Sequence, residues 1–391
     1  MKRQILFTGY LFLLLLTANL YAQESEYKLR EIKNPETLFT SEYIINQMEQ
    51  TLDWQLENMP EESWRASVNR YEKIKGNGWI RSVFYAGVMA AYNVTKEKKY
   101  LDDLYNWGNS NKWKPGERPR HADDLCCVQI YTDIYFIDKD PAKLEPSIET
   151  FDAIAEDPML GSIVGWEKIK NWNWCDALFM APPAMARLAA ATNNQKYLET
   201  MDLMFWDTYE YLYDKNENLF YRDDRFKPDA DSLVLSENGT HVFWSRGNGW
   251  VLAGLARILE FMPDDFENKK RYESLFVDLS QKLITLQDSQ GFWHSNLLDP
   301  VERPEPESSG TAFFCYGLAW GVNNSYLNRD TYLPVIKKAW EALNKCLDEK
   351  GQLHWIQLVG SAPAPVKYED SVEYATGAFL LAASEVIKSF N

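Results

Sequence analysis

The chain has 391 residues, a formal charge of −16 and 46% hydrophobic content. Neutralising nucleic-acid phosphates needs clustered Lys and Arg, so this charge balance argues against a nucleic-acid partner. A core of this size needs no disulfide stapling, and Cys126, Cys127, Cys175, Cys315 and Cys346 read as buried free thiols, with one chance bridge as the alternative.

In chain order, Lys2 and Arg3 precede an apolar run from Ile5 to Leu16, and small or polar residues lead to Tyr21-Ala22. This is the pattern of a secretory signal peptide over residues 1–22, cleaved after Ala22. The expected mature chain, 23–391, is one catalytic domain located in the periplasm or outside the cell. The apolar run is too short to span a bilayer and no later segment approaches that length, so no membrane partner is expected.

Helical periodicity dominates from there on, and strand-like alternation is scarce. The spacing predicts twelve helices over 41–56, 78–94, 97–109, 121–136, 142–156, 173–192, 195–214, 248–262, 266–287, 309–322, 331–348 and 371–388. They alternate in character. One set is rich in Ala, Gly and aromatics, as from Val83 to Tyr92 or Val251 to Ile258; the other is amphipathic, as from Lys99 to Trp107. A helix apolar all round is buried, whereas an amphipathic one faces water on one side. Six of each describe an all-α fold, an (α/α)6 barrel with inner and outer rings. A superhelix of helical pairs would alternate similarly, but no fixed repeat length is present.

Unusual residues concentrate before the inner helices: Gly76 to Trp79, Pro119 to Asp124, Asn171 to Trp174, Trp244 to Trp250, Glu307 to Gly310 and Lys367 to Asp370. In such a barrel these six loops meet at one end. The positive ends of the inner-helix dipoles then converge on one cavity, a favourable place for an anionic group.

Asp176, behind Trp172 and Trp174 and ahead of Ala177 to Ala181, suits two roles equally. A carboxyl group packed among rings gains a raised pKa, as an acid catalyst needs. Alternatively Asn173 is an N-cap and Asp176 its N3 partner. Pro182 and Pro183 imply a kink or restart just beyond. Asp123 and Asp124 open another inner helix, where first-turn acids ordinarily serve the dipole. Arg246, between Trp244 and Trp250 and beside two glycines, is suited to grip a carboxylate while the glycines let backbone approach a ligand. His241, His121 and Trp174 are further candidate sugar contacts. No metal-binding pattern and no cofactor motif is present, so neither is expected.

Trp174-Cys175-Asp176-Ala177-Leu178-Phe179-Met180-Ala181-Pro182-Pro183 and Ser245-Arg246-Gly247-Asn248-Gly249-Trp250 resemble the unsaturated glucuronyl and rhamnogalacturonyl hydrolases of glycoside hydrolase family 105, related to family 88. The resemblance spans about Trp79 to Ala383. It implies an (α/α)6 barrel acting on 4,5-unsaturated uronic acid at the non-reducing end of lyase-generated oligosaccharides, with this acidic oligosaccharide as partner and the enzyme a monomer or weak dimer. It also implies that Asp176 is the acid/base, that Asp123 or Asp124 is a second functional acid, and that Trp244 and Arg246 contact substrate, with Trp250 nearby. Pectin-directed relatives often carry a His where this chain reads Arg222. That difference suggests a more anionic neighbouring sugar, such as a sulfated one in ulvan fragments. The alternatives are an ordinary inverting glycosidase or polysaccharide lyase on the same barrel, or a non-catalytic glycan-binding protein, which would have no need of Asp176 in an apolar setting.

Overall fold

The computed structural model describes residues 27–65, 68–161 and 165–390. The expected signal peptide therefore lies outside the described residues. Six helices stand side by side in a closed inner ring. Trp79–Thr95 packs on Cys127–Asp138, followed by Pro182–Thr192, Ser245–Leu259, Ser308–Asn323 and Glu373–Phe390, which returns to Trp79–Thr95. Outside them lie Ser41–Glu57, Lys98–Ser110, Glu145–Glu156, Gln195–Leu212, Lys269–Ile284 and Arg329–Lys345. This is an (α/α)6 barrel. The burial patterns show why each helix takes its ring. Every residue of Ser245–Leu259 is buried, whereas Lys98–Ser110 buries only Tyr100, Leu104, Trp107 and Gly108, a single stripe.

Small residues let the inner ring close. A Cβ on Gly377 would stand 2.3 Å from the Val83 carbonyl oxygen, and one on Gly87 would stand 2.6 Å from the Gly377 Cα. The two glycines face each other where the last inner helix meets the first. Backbone cannot yield as a flexible side chain can, so Gly377→Ala is expected to cost roughly 1–3 kcal/mol or more. An unshifted denaturant midpoint would contradict this packing.

Two inner helices are interrupted, which the periodicity did not resolve. Ala122–Leu125 is followed by Cys127–Asp138, and Ala177–Met180 restarts as Pro182–Thr192. The second break is where the two prolines predict it. Pro183 has no N–H to offer the Phe179 carbonyl. The buried Gln129 side chain replaces it, its Nε2 donating to the carbonyls of Phe179 (2.8 Å) and Met180 (3.1 Å). All five cysteines are free and buried, as expected.

The little β-structure present serves the loop end. Glu62–Arg65 pairs with Arg70–Lys73, and Tyr213–Asp214 pairs with Leu219–Phe220. Arg65 also bridges to Val359, which ties the first hairpin to the loop before the last inner helix.

Candidate active site

At the N-terminal end of the inner ring lies a cavity of about 70 Å³, lined chiefly by Trp79, Asp123, Trp174, Asp176, Arg222, Arg246 and Trp250, with Arg65, Met180, Val359 and Gly360 completing the wall. Four of the six expected loops reach it. The loop at 307–310 does not. Instead Glu307 caps its own helix, accepting from the backbone N–H groups of Ser309 (2.8 Å) and Gly310 (2.7 Å). The sixth contribution comes from Val359 and Gly360, not from Lys367 to Asp370.

The backbone entering the Asp176 turn is strained. Trp172, fully buried, has φ +64°, an uncommon conformation for a bulky side chain. Its ring N–H donates to the Arg120 carbonyl (3.1 Å), and its own carbonyl accepts from the Trp174 N–H (2.7 Å). Asp176 precedes the short helix Ala177–Met180, and its side chain makes no capping bond there. The capping-box role offered by Asn173 and Asp176 is therefore not realised. Arg222 Nε donates to Asp176 Oδ2 (3.1 Å), and the Cys175 thiol also faces that oxygen (3.7 Å). Oδ1 has no hydrogen bond to a described residue. One oxygen is thus held and the other is left at the cavity.

Of the two neighbouring acids, Asp123 faces the cavity. Burial first, then the nearby charges of Asp176 and Asp124, push its carboxyl up to about 7 against the opposing pull of Arg118 and Arg222. Asp124 turns away and is buried against Arg118, whose backbone N–H (2.9 Å) and guanidinium both donate to it. Hydrogen bonds from Arg118 hold the Asp124 carboxyl below the usual range in spite of burial. As a candidate cavity acid, Asp124 is corrected to a structural ion pair.

Trp174 lines the cavity and His121 stands behind it, outside the lining, with ring centroids 5.2 Å apart. His121 Nδ1 accepts from the Asp123 N–H (3.3 Å), and burial lowers the imidazole pKa to about 4, so it is neutral near pH 7. His241 is exposed, lies outside the cavity lining, and has Tyr221 as its ring neighbour at 6.2 Å. It is withdrawn as a sugar contact.

The Trp244-to-Trp250 segment differs most from expectation. Its polar core forms the first turn of the inner helix Ser245–Leu259, not a loop. The glycines admit protein, not ligand. A Cβ on Gly247 would meet Cys175 Sγ at 2.9 Å, and one on Gly249 would meet Phe313 at 3.0 Å. Asn248 clamps the second hairpin, accepting from the Phe220 N–H (2.8 Å) and donating to its carbonyl (3.0 Å), and so helps deliver Arg222. Arg246 lies at the cavity wall, but its Nη1 donates to the Gln357 carbonyl and the Tyr374 hydroxyl, and its Nη2 to the Leu358 carbonyl (3.1 Å). Trp244 donates to the Gln357 side chain (2.8 Å). Both Nη groups of Arg246 thus help hold the 357–360 loop over the cavity. Its Nε has no partner among the described residues and Nη2 keeps a second hydrogen, so two donors remain for a ligand. Trp250 packs between Trp79 (5.9 Å) and Phe313 (4.1 Å) with its edge on the cavity.

Trp79, Met180, Arg65, Val359 and Gly360 were not singled out from the sequence. Trp79 had a visible signal, since it ends one of the six loops. Arg65 and Val359 had none, because a hairpin and a distant loop bring them in.

Fold and site together define a carbohydrate-active barrel enzyme, with acids, cations and indole rings at the mouth of an (α/α)6 ring. The chain belongs to glycosyl hydrolase family 88, whose model matches residues 40–390. It is a glycoside hydrolase. It is 41% identical over 319 residues to the "Unsaturated 3S-rhamnoglycuronyl hydrolase" of Formosa agariphila, covering 79% of this chain and 84% of the relative. To the protein of the same name from an Alteromonas species it is 35% identical over 355 residues, covering 87% and 84%. A solved family 88 structure from Bacteroides vulgatus superposes with a TM-score of 0.79 at 29% identity, covering 90% of this chain and 99% of that one. A structure named a polysaccharide lyase fits equally well, with a TM-score of 0.79 at 29% identity, covering 89% and 97%.

Proposed function

We propose that the protein removes 4,5-unsaturated uronic acid from the non-reducing end of short acidic oligosaccharides, by hydration of the C4=C5 double bond. The activity is that of an unsaturated uronyl hydrolase. Support comes from family membership and from relatives named for unsaturated rhamnoglycuronyl substrates. The single structural observation that carries the mechanism is a cavity acid, Asp176, with one oxygen held by Arg222 and the other without a partner among the described residues.

The unsaturated ring is an enol ether. Asp176 delivers a proton to C4 through Oδ1, leaving oxocarbenium character between C5 and the ring oxygen. Water adds at C5, and its proton returns to the Asp176 carboxylate. The resulting hemiketal opens by cleaving the bond from C5 to the ring oxygen. This leaves a hemiacetal at C1 that releases the next sugar. One residue thus serves as acid and then as base, and the two-carboxylate separation rule of C1-directed glycosidases does not apply.

Asp123 is the coupled second carboxyl. Protonated up to about pH 7, it spares the cavity a second negative charge while the substrate carboxylate enters. Arg222 and Arg246 supply attraction for that carboxylate. The neighbouring sugar is a rhamnose carrying an anionic substituent such as sulfate, as in ulvan fragments; the relatives' names motivate that choice. The same reading places the mature enzyme in the periplasm or outside the cell, where such fragments arise.

An absorbance assay tests the reaction. The conjugated double bond gives unsaturated uronides an ultraviolet band, and hydration abolishes it as the neighbouring sugar is released. A lyase acting on intact polysaccharide would create that band instead. Bleaching of unsaturated disaccharides is the expected result. Growth of the band on polysaccharide, with no bleaching of disaccharides, would transfer the protein to the lyase reading.

A further inference from the structure

The presence of Arg222 first suggested an anionic neighbouring sugar, yet in the structure that guanidinium is already engaged. Its Nε bonds Asp176 and its Nη1 bonds Asp223. Of the three cavity arginines, Arg65 is the one with both Nη groups open among the described residues. Its Nε pairs with Glu72 (3.1 Å), the side chain is 37% exposed, and neither Nη group bonds a described residue. Arg65 ends the strand Glu62–Arg65 and is pinned through its bridge to Val359.

Arg65 and Trp79 also line a second cavity of about 260 Å³, so the two spaces share a wall. Lys73, Lys75 and Arg118 join Arg65 there, against two acids, Glu72 and Asp124. Lys75 pairs with Glu117 and Arg118 with Asp124. Lys73 has no ion pair with a described residue, and Arg65 keeps both Nη groups beyond its pair with Glu72. On the other side of the hairpin a third cavity, of about 490 Å³, is lined by Glu62, Glu369 and Asp370 and, among the described residues, by no Lys or Arg. The hairpin therefore separates a cationic groove from an acidic one, in a chain that is acidic overall. An anionic sugar leaving the reaction cavity is repelled on one side and attracted on the other.

Building on the unsaturated-uronide reading of the reaction cavity, we propose that the groove beyond Trp79 is the subsite for the neighbouring sugar, and that Arg65, with Lys73, binds a sulfate ester on it. A guanidinium offers paired donors to a tetrahedral oxyanion, and charge-assisted bonds of that kind correspond to about 10- to 100-fold in binding. Arg65 is a specificity-determining residue, and its contact is made equally in ground and transition states, so the effect belongs in KM.

The test compares kcat/KM on a sulfated unsaturated disaccharide and on its desulfated counterpart, for wild type, Arg65→Gln, Arg65→Lys and Lys73→Gln. Wild type is expected to prefer the sulfated substrate. In Arg65→Gln the sulfated substrate should lose at least 10-fold more than the desulfated one, mainly through KM, with Arg65→Lys between the two. Lys73→Gln should shift the preference in the same direction by less. Equal losses on both substrates, or no wild-type preference for sulfate, would overturn the subsite. Failure of wild type to bleach either substrate would overturn the underlying reaction instead, so the two failures are distinct. Unchanged thermal midpoints in the variants exclude misfolding as the source of a selective loss.

Discussion

Asp176→Asn should leave the barrel folded and lower kcat/KM by about 10²–10⁴-fold, the ordinary contribution of a positioned proton donor. Asn fits the space, and its side-chain oxygen can still accept from Arg222 Nε, which stands 3.1 Å from the aspartate. It has no acidic proton to deliver to C4. The substitution also separates the two roles that the local sequence left level. At N3 an Asn side-chain oxygen can accept the N-cap N–H as an Asp oxygen does, so a purely capping partner would tolerate the exchange with little change in stability or activity. Steady-state kinetics together with a denaturation curve check it. Near-full activity in a folded variant would remove Asp176 from the chemistry while leaving family membership intact.

A second large effect is expected at Asp123, where pH is the readout. The carboxyl is raised to about 7, chiefly by burial. Activity that depends on its protonated form should fall as pH rises through about 7, and Asp123→Asn, permanently neutral, should lose that limb. Stability follows with a fixed sign. Between an unfolded pKa near 4 and a folded one near 7, the native state holds a proton that the unfolded chain has released, so native stability declines as pH rises across that window. Asp123→Asn should therefore gain on wild type as pH goes from 5 to 8. A shift of about three pKa units sets a ceiling of roughly 4 kcal/mol on the gain. The Asp123 side chain is 20% exposed to the cavity, and water there reduces the figure. Denaturant midpoints of the two proteins at pH 5 and 8 decide the matter; parallel pH dependence would contradict the burial of this charge.

Both expectations concern residues already visible in the sequence, yet in different degrees. Asp176 stood out because it lies between indole rings and an apolar helix start. Asp123 and Asp124 could not be told apart, being adjacent and both in a first helical turn. Their separation depends on the close approach of Gly116, whose Cβ position would lie 2.5 Å from the Asp124 carboxyl carbon, and on Arg118 turning back to pair with that acid. Arg246 shows the limit differently. An Arg among rings and glycines reads as a ligand grip, and it lies at the cavity, but the carbonyls it also bonds belong to residues more than a hundred positions away.

By itself the sequence determined the order of buried and amphipathic helices, and hence the barrel, because helix periodicity is a local property of side chains on one cylinder. It also determined the cluster of indoles, acids and the Arg246 motif at the inner-helix starts, and the break at Pro182-Pro183. Only the tertiary structure decided that Asp123 faces the cavity, that Arg222 holds Asp176, that His241 stays outside, and that Arg65 stands between a cationic and an acidic groove. Those outcomes rest on contacts between segments far apart in the chain. Burial, ion pairing and the direction of a side chain follow from neighbours that no local pattern names.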